Sequence, residues 1–148
     1  MAFGAGRDRS GLIMMVTLGT GIGTALFMDG VLLPNTELGH LEIDGQDAEL
    51  IASDRVREAD DLSWEKYAQR VTRYLNHVEM LLSPRLFIIG GGVSKKADKY
   101  FPLLQTRTPV VAATLLNNAG IIGAAVCAEQ AAAGPGGQHP GAIPVHVG

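Results

Sequence analysis

The sequence predicts a mixed α/β fold, and three observations carry that prediction. Two apolar segments, GLIMMVTL (11–18) and RLFIIG (85–90), each run into a cluster of glycines. Branched apolar runs of this length, bounded by turn residues, read as buried strands. From Ser63 onward, Trp64, Tyr67, Ala68, Val71, Tyr74, Leu75, Val78, Leu81 and Leu82 recur in steps of three and four, the period of an amphipathic helix. Finally, TPVVAATLL (108–116) followed by NNAGIIGAAVCAEQAAA (117–133) repeats the order strand then helix.

The elements follow in chain order. The first strand ends in VTLGTGIG (16–23), and TALFMDGVLLP (24–34) then holds two short apolar runs joined by Asp29-Gly30. A two-residue Asp-Gly connection is a strong hairpin signal, so the glycine loop lies between strands. A shorter helix is expected over 47–57. The long helix begins at Ser63, a good N-cap, and stops at Ser83-Pro84. The second buried strand leads through Gly90, Gly91 and Gly92 into a helix starting near Ser94, with Ala97, Tyr100, Phe101 and Leu104 inward. The last helix is capped by Asn117 or Asn118. Beyond it GPGGQHPGAIPVHVG (134–148) has no apolar period and reads as a disordered extension.

Composition narrows the function classes. With 148 residues, 47% of them hydrophobic, the chain suits one domain with a real core. A net charge of −3, without a basic stripe, argues against a nucleic-acid partner. Cys127 is the one cysteine, which excludes an internal disulfide or cysteine-based metal site and fits a cytoplasmic protein. LIMMVTL is too short to cross a bilayer, and no membrane role is expected. His139 and His146 lack a spaced ligand set.

Three motifs could carry chemistry. VTLGTGIG is neither a Walker A loop, which needs Gly-Lys-Ser/Thr, nor a dinucleotide fingerprint, which needs G-x-G-x-x-G opening a helix. It remains a tight hairpin whose backbone N–H groups, with the Thr17 and Thr20 hydroxyls, could converge on an anion, or a glycine turn that only reverses the chain. TELGHLEI (36–43) puts Glu37 and His40 beside a glycine, with Glu49 at the start of the next helix. Carboxylates and an imidazole suit vicinal sugar hydroxyls, and an ordinary acidic surface loop is the alternative. IIGGGVS (88–94) could let a phosphate chain approach the backbone at a helix N-terminus. Lys95 and Lys96 then either assist or form a solvated helix face.

Taken together, LGTGIG, NTELGHLEIDG, IIGGGVS and TPVVAATLLNNAGIIGAA, in this order, resemble the ROK family of sugar kinases and its polyphosphate-using branch. The resemblance covers roughly residues 1–130. It implies an actin-like ATPase, ribonuclease H-like α/β fold, with 1–130 as the C-terminal kinase lobe and 131–148 as the tail. It also implies transfer of a phosphoryl group from polyphosphate or ATP to the 6-hydroxyl of glucose, with Mg²⁺, in a homodimer. Glu37, His40 and Glu49 would bind glucose, DAELIAS (47–53) matching the family's Glu-x-x-x-Ser segment. Thr17, Gly19, Thr20, Gly21 and Gly23 would embrace the transferring phosphate, and Gly90, Gly91 and Gly92 would line the donor side.

Two departures from the family pattern shape the expectation. The C-x-C-G-x-x-G-C-x-E zinc motif is replaced by LEIDGQDAE (41–49), so no zinc is expected and His40 is left for the sugar. The first phosphate motif and the Asn-Asp-Ala-Asp-like segment with the general-base Asp are missing, so that base is expected upstream of Met1, which reads as an internal methionine of a longer frame. Asp29, Asp44 and Asp47 are not assignable as substitutes. Loss of a general base costs about two to four orders of magnitude in rate, leaving open whether these residues alone are active. The alternative is a non-catalytic sugar-binding or regulatory relative, or a remnant with no independent role. No helix-turn-helix or basic segment supports a repressor.

Overall fold

Sequence period and turn chemistry translate directly into a central sheet. The computed structural model describes residues 10–113. The expected helix from Asn117, the tail at 131–148, Cys127, His139 and His146 lie outside these residues. Strand β1 (Leu12–Leu18) pairs antiparallel with β2 (Ile22–Met28), which pairs antiparallel with β3 (Val31–Leu33). On its other side β1 runs parallel to β6 (Leu86–Gly90), and β6 runs parallel to β7 (Val110–Ala112). The resulting five-stranded order is β3-β2-β1-β6-β7, with a separate ribbon of β4 (Glu42–Ile43) and β5 (Gln46–Asp47).

The two-residue alternation of a strand decides which way β1 points its side chains. Met14, Val16 and Leu18 enter the main core, while Ile13 joins Leu86, Ile88 and Ala113 on the opposite face. The Asp29-Gly30 connection has both residues at positive φ, 50° and 83°, as a type I′ turn requires. The Asp29 carboxylate also accepts from the Gly11 N–H at 2.7 Å. Asp44-Gly45 repeats that conformation between β4 and β5, at φ 52° and 77°.

The long helix α3 (Trp64–Leu82) covers one face of the sheet. Ser63 caps it by accepting from the Lys66 N–H at 3.3 Å, and Ser83, left-handed at φ 46° before Pro84, ends it. Tyr67, Ala68, Val71, Tyr74, Leu75 and Val78 are buried as the period requires. Leu81, expected inward, is 53% exposed. Leu82, also expected inward, does pack on the core and is partly buried.

Two expected helices are broken. Residues 47–57 form not one helix but α1 (Glu49–Ala52) and α2 (Asp54–Ala59), separated by Ser53 in an extended conformation. The Ser53 hydroxyl accepts from the Val56 N–H at 3.4 Å and restarts the helix, the competition with helical continuation that places serine at caps. After β6, a single 3₁₀ stretch (Gly92–Lys96), α4 (Ala97–Tyr100) and a second 3₁₀ turn (Phe101–Leu103) replace the continuous helix expected from Ser94. Pro102 has no N–H to donate to a continuing helix, and the break falls at Tyr100, φ −127°, while Phe101 keeps helical geometry. The triple glycine therefore faces no long helix N-terminus.

Glu79 is the polar member of the buried stripe on α3, with its side chain 5% exposed. Its carboxylate accepts from the Arg107 Nε at 3.2 Å, from the Arg107 backbone N–H and from the Thr108 N–H, tying the approach to β7 onto α3. Burial pushes its pKa up, but the hydrogen bonds from Thr108 and Arg107 outweigh that and hold it below the ordinary 4.5. A carboxyl with a lowered folded-state pKa adds stability above its unfolded value and loses it as pH falls through the folded one. We expect Glu79→Gln to lower the urea midpoint at neutral pH, with the deficit shrinking on acidification below pH 4.5. A deficit independent of pH would contradict this electrostatic account.

Candidate active site

The β1–β2 hairpin reverses over only three residues, 19–21, since Leu18 pairs with Ile22. Its tip forms one wall of an open cleft of about 390 Å³ lined by Thr17, Gly19, Thr20, Gly21, Ile22, Gly23, Glu49 and Gly91. Of the residues expected at a phosphate, all five therefore meet in one place, together with one of the three expected at a sugar and one of the three donor-side glycines. Gly90, Gly92, Glu37 and His40 are not in that lining. His40 stands next to it, with Nε2 3.6 Å from the Glu49 Oε1, whereas Glu37 is exposed one turn of chain away.

Close approach explains several of the glycines here. A β-carbon on Gly21 would lie 2.6 Å from Glu49 Oε1, and one on Gly39 would lie 1.9 Å from the Ile22 carbonyl oxygen. Gly91, at φ +86°, would meet the Leu18 carbonyl oxygen at 2.4 Å, so the triple-glycine turn lies directly on the end of β1. Around Gly19, in contrast, nothing in the chain comes within 4 Å of the missing side chain.

The loop's own amides are partly committed. The Gly19 N–H donates to the Gly21 carbonyl at 3.0 Å, and the Ile22 N–H donates to Glu49 Oε1 at 3.3 Å. Among the described residues the Thr20 and Gly21 N–H groups remain, with the exposed Thr17 and Thr20 hydroxyls beside them. The Thr17 hydroxyl lies 3.4 Å from the Gly23 carbonyl, to which it donates.

A charged cluster adjoins this wall. Asp47 accepts from His40 Nδ1 through Oδ2 at 2.9 Å and from the Glu49 N–H through Oδ1 at 2.9 Å. The hydrogen bond to Asp47, followed by the charges of Asp47 and Glu49, raises the pKa of His40 above 6.5; the same hydrogen bond, with the one from the Glu49 N–H, lowers that of Asp47. Two tyrosines of α3 hold the cluster's flanks, Tyr74 donating to the Leu38 carbonyl and Tyr67 to the Ala52 carbonyl, both at 3.1 Å. The Leu38 N–H is held in turn by the Thr24 hydroxyl at 3.1 Å.

The roles of Asp47, Gly39, Ile22 and the two tyrosine hydroxyls escape the sequence reading, which weighs Asp47 only as a substitute base and leaves it unassigned. Asp47 left one signal, a carboxylate two residues before a helix start, where Asp bonds the backbone N–H two residues on. A larger cleft of about 520 Å³, lined by Asn76, Glu79, Gln105, Thr106 and Arg107, offers less chemistry. Its buried carboxylate, Glu79, is already engaged by Arg107 and Thr108.

A glycine hairpin, a second glycine turn and a carboxylate–imidazole cluster meeting at the ends of β1 and β6 are set on an actin-like α/β fold of the sugar-kinase type. The chain is similar in sequence to polyphosphate glucokinases and in fold to ROK family kinases. It is 52% identical over 124 residues to the polyphosphate glucokinase of Mycobacterium tuberculosis (strain CDC 1551 / Oshkosh), a match covering 84% of this chain and 47% of the relative. The polyphosphate glucokinase of Mycobacterium leprae (strain TN) is also 52% identical, with 84% and 38% covered. The chain thus spans less than half the length of these curated relatives. Among solved structures, the inorganic polyphosphate/ATP-glucomannokinase from Arthrobacter sp. strain KM superposes with a TM-score of 0.82 at 57% identity, covering 85% of this chain and 50% of that one. A ROK family glucokinase from Streptomyces griseus in complex with glucose and AMPPNP gives 0.69 at 22% identity over 85% and 62%, a likeness of fold alone. No family model matches the chain.

The contacts around the glycines predict contrasting tolerances. Gly39→Ala drives a methyl into the Ile22 carbonyl and should cost about 1–3 kcal/mol or more, whereas Gly19→Ala should stay within about 0.5 kcal/mol of the parent. Chemical denaturation of the two variants checks this, and equal midpoints would refute the close packing of Gly39 on β2.

Proposed function

We propose that this chain forms the sugar- and phosphate-binding part of a phosphotransferase that moves the terminal phosphoryl group of polyphosphate or ATP to the 6-hydroxyl of glucose. One observation carries the reading: the hairpin tip and Glu49 share one cleft wall, with His40 3.6 Å from Glu49. A phosphate-sized anion and a polyhydroxylated acceptor can therefore lie in contact. The kinship with polyphosphate glucokinases supports the choice of donor and acceptor.

In this proposal the Thr20 and Gly21 N–H groups and the Thr17 and Thr20 hydroxyls receive the transferring phosphoryl group, which takes up the open space over Gly19. Gly90, Gly91 and Gly92 bound the donor side. Glu49 accepts from a glucose hydroxyl through lone pairs not used by the Ile22 N–H, His40 meets a neighbouring hydroxyl, and Glu37 reaches the sugar's outer edge. Such positioning supplies most of phosphoryl-transfer catalysis. The general base that takes the 6-hydroxyl proton comes from residues outside these 148, since no Asn-Asp-Ala-Asp-like segment occurs among them.

A divalent ion fits the donor set: one carboxylate and two hydroxyls line the cleft, enough for Mg²⁺ held chiefly by donor phosphates and water, with Thr17 and Thr20 as outer partners. When bound, Mg²⁺ would neutralise phosphate charge as it develops. A cytoplasmic homodimer belongs to the same proposal, on the strength of the family resemblance.

The test is a phosphoryl-transfer assay with glucose and either polyphosphate or ATP, on the 148-residue chain and on a form extended upstream through an Asn-Asp-Ala-Asp-like segment. The extended form should turn over and the short chain should not; turnover by the short chain at a normal kinase rate would sink the assignment of the base. In the extended form, Glu49→Gln should raise the glucose KM about tenfold or more, the worth of a hydrogen bond to a charged group. An unchanged KM would remove Glu49 from the sugar site.

A further inference from the structure

The contacts of Asp47 give it a place in the site that its sequence context does not announce. It uses its two oxygens on two different partners: Oδ2 on the ring nitrogen His40 Nδ1 and Oδ1 on the backbone N–H of Glu49, each at 2.9 Å. His40 is otherwise poorly held. Its side chain is 56% exposed, and its second nitrogen, Nε2, lies 3.6 Å from Glu49 Oε1. That separation is too long for a direct hydrogen bond; Glu49 lines the cleft and His40 stands beside it, close enough for one oxygen atom to touch both groups.

From this we infer that Asp47 is a positioning residue that aims His40 Nε2 and the Glu49 carboxylate at a single substrate hydroxyl, an inference that rests on the sugar-site reading above. Occupying Nδ1 fixes which nitrogen faces the cleft, as a carboxylate partner does for any functional imidazole. Holding the Glu49 N–H fixes the start of α1 and with it the origin of the Glu49 side chain. A protonated His40 donates from Nε2 to the hydroxyl oxygen, and the hydroxyl donates its own proton to Glu49 Oε1. The hydroxyl so bridged is neither made nor broken; only its orientation is set.

Two substitutions separate the two bonds. Asp47→Asn is isosteric but has one acceptor oxygen for two donors. Asp47→Ser can keep the cap on the Glu49 N–H but cannot reach the imidazole. The first readout needs no ligand: the His40 ring titration followed by NMR in the 148-residue chain. The groups facing His40 are Asp47, Glu49 and Glu37, all of which raise its pKa. The His40 midpoint should therefore fall toward 6.5 in Asp47→Ser, while the dispersion of the amide spectrum reports that the fold is intact. An unmoved midpoint would overturn the positioning role.

The second readout is the glucose KM of the extended form, which should rise about tenfold in Asp47→Ser with kcat changed far less. Combined with His40→Ala, the same change should add little. Full additivity of the two substitutions would show that Asp47 does not act through His40, and would overturn the inference. A lowered His40 midpoint together with an unchanged glucose KM in Asp47→Ser, His40→Ala and Glu49→Gln alike would instead sink the sugar-site reading on which it rests.

Discussion

The peptide groups on either side of Ile22 are the constraint on which the site depends. The Ile22 N–H is bound by the Glu49 carboxylate, and the Ile22 carbonyl is so close to Gly39 that no side chain fits between them. The Ile22 side chain is buried in the main core and its strand partner is Leu18. One residue thus fixes the end of the glycine hairpin, the start of α1 and the path of the segment that carries His40. Three pieces of chain distant in sequence cannot shift independently, because each is bonded to or pressed against the same short length of β2.

Helix α3 supplies the rigidity behind that junction. Tyr67 and Tyr74 bury their rings in the core and send their hydroxyls to the Ala52 and Leu38 carbonyls, which bracket the cluster of His40, Asp47 and Glu49 on either side in sequence. A tyrosine ring brings a large apolar contribution with a polar tip that needs a partner when buried. Here the need is met by the Leu38 carbonyl in irregular chain and by the Ala52 carbonyl at the C-terminal end of α1, where a helix leaves its last carbonyls unsatisfied. The polar segment is therefore anchored to the apolar core without burying a charge at the anchor points.

The sheet and α3 were legible in the sequence because they rest on local pattern. An apolar run, a 3.6-residue period and an Asp-Gly pair each have a physical cause within a few residues of themselves. The hairpin register and the caps at Ser63 and Ser83 follow from the same local causes. The breaks at Ser53 and near Pro102 were missed although their residues were plain to see, since a serine inside a helical pattern can point to solvent or cap a new helix, and packing decides. Glu79 reads as one more polar residue until Thr108 and Arg107 are folded against it. Among the glycines, the sequence shows the cluster but not the reason. Gly21 and Gly39 are set by what stands opposite, Glu49 in one case and a backbone carbonyl in the other. Asp47 escaped in part for the same cause: its bond to the Glu49 N–H is local, but His40 meets it only through the β4–β5 ribbon.

The charge of the cleft lining limits how a phosphorylated donor can be held. Among the described residues of that lining, Glu49 is the one formally charged side chain and it is negative, with no Lys or Arg beside it. What faces a polyanion there are N–H and hydroxyl dipoles, whose attraction for phosphate depends on orientation and falls off faster with distance than that of a full charge. A carboxylate so near would repel the donor were it not turned toward the Ile22 N–H and His40. When protonated, the form that both carboxylates favour, the His40 imidazolium offsets part of that negative charge, because it sits beside Asp47 and Glu49. In the proposed complex, the same carboxylate–imidazole cluster that would bind the sugar also weakens the repulsion felt by the phosphate. The remaining compensation has to arrive with the donor as its counterions, or from groups beyond the described residues.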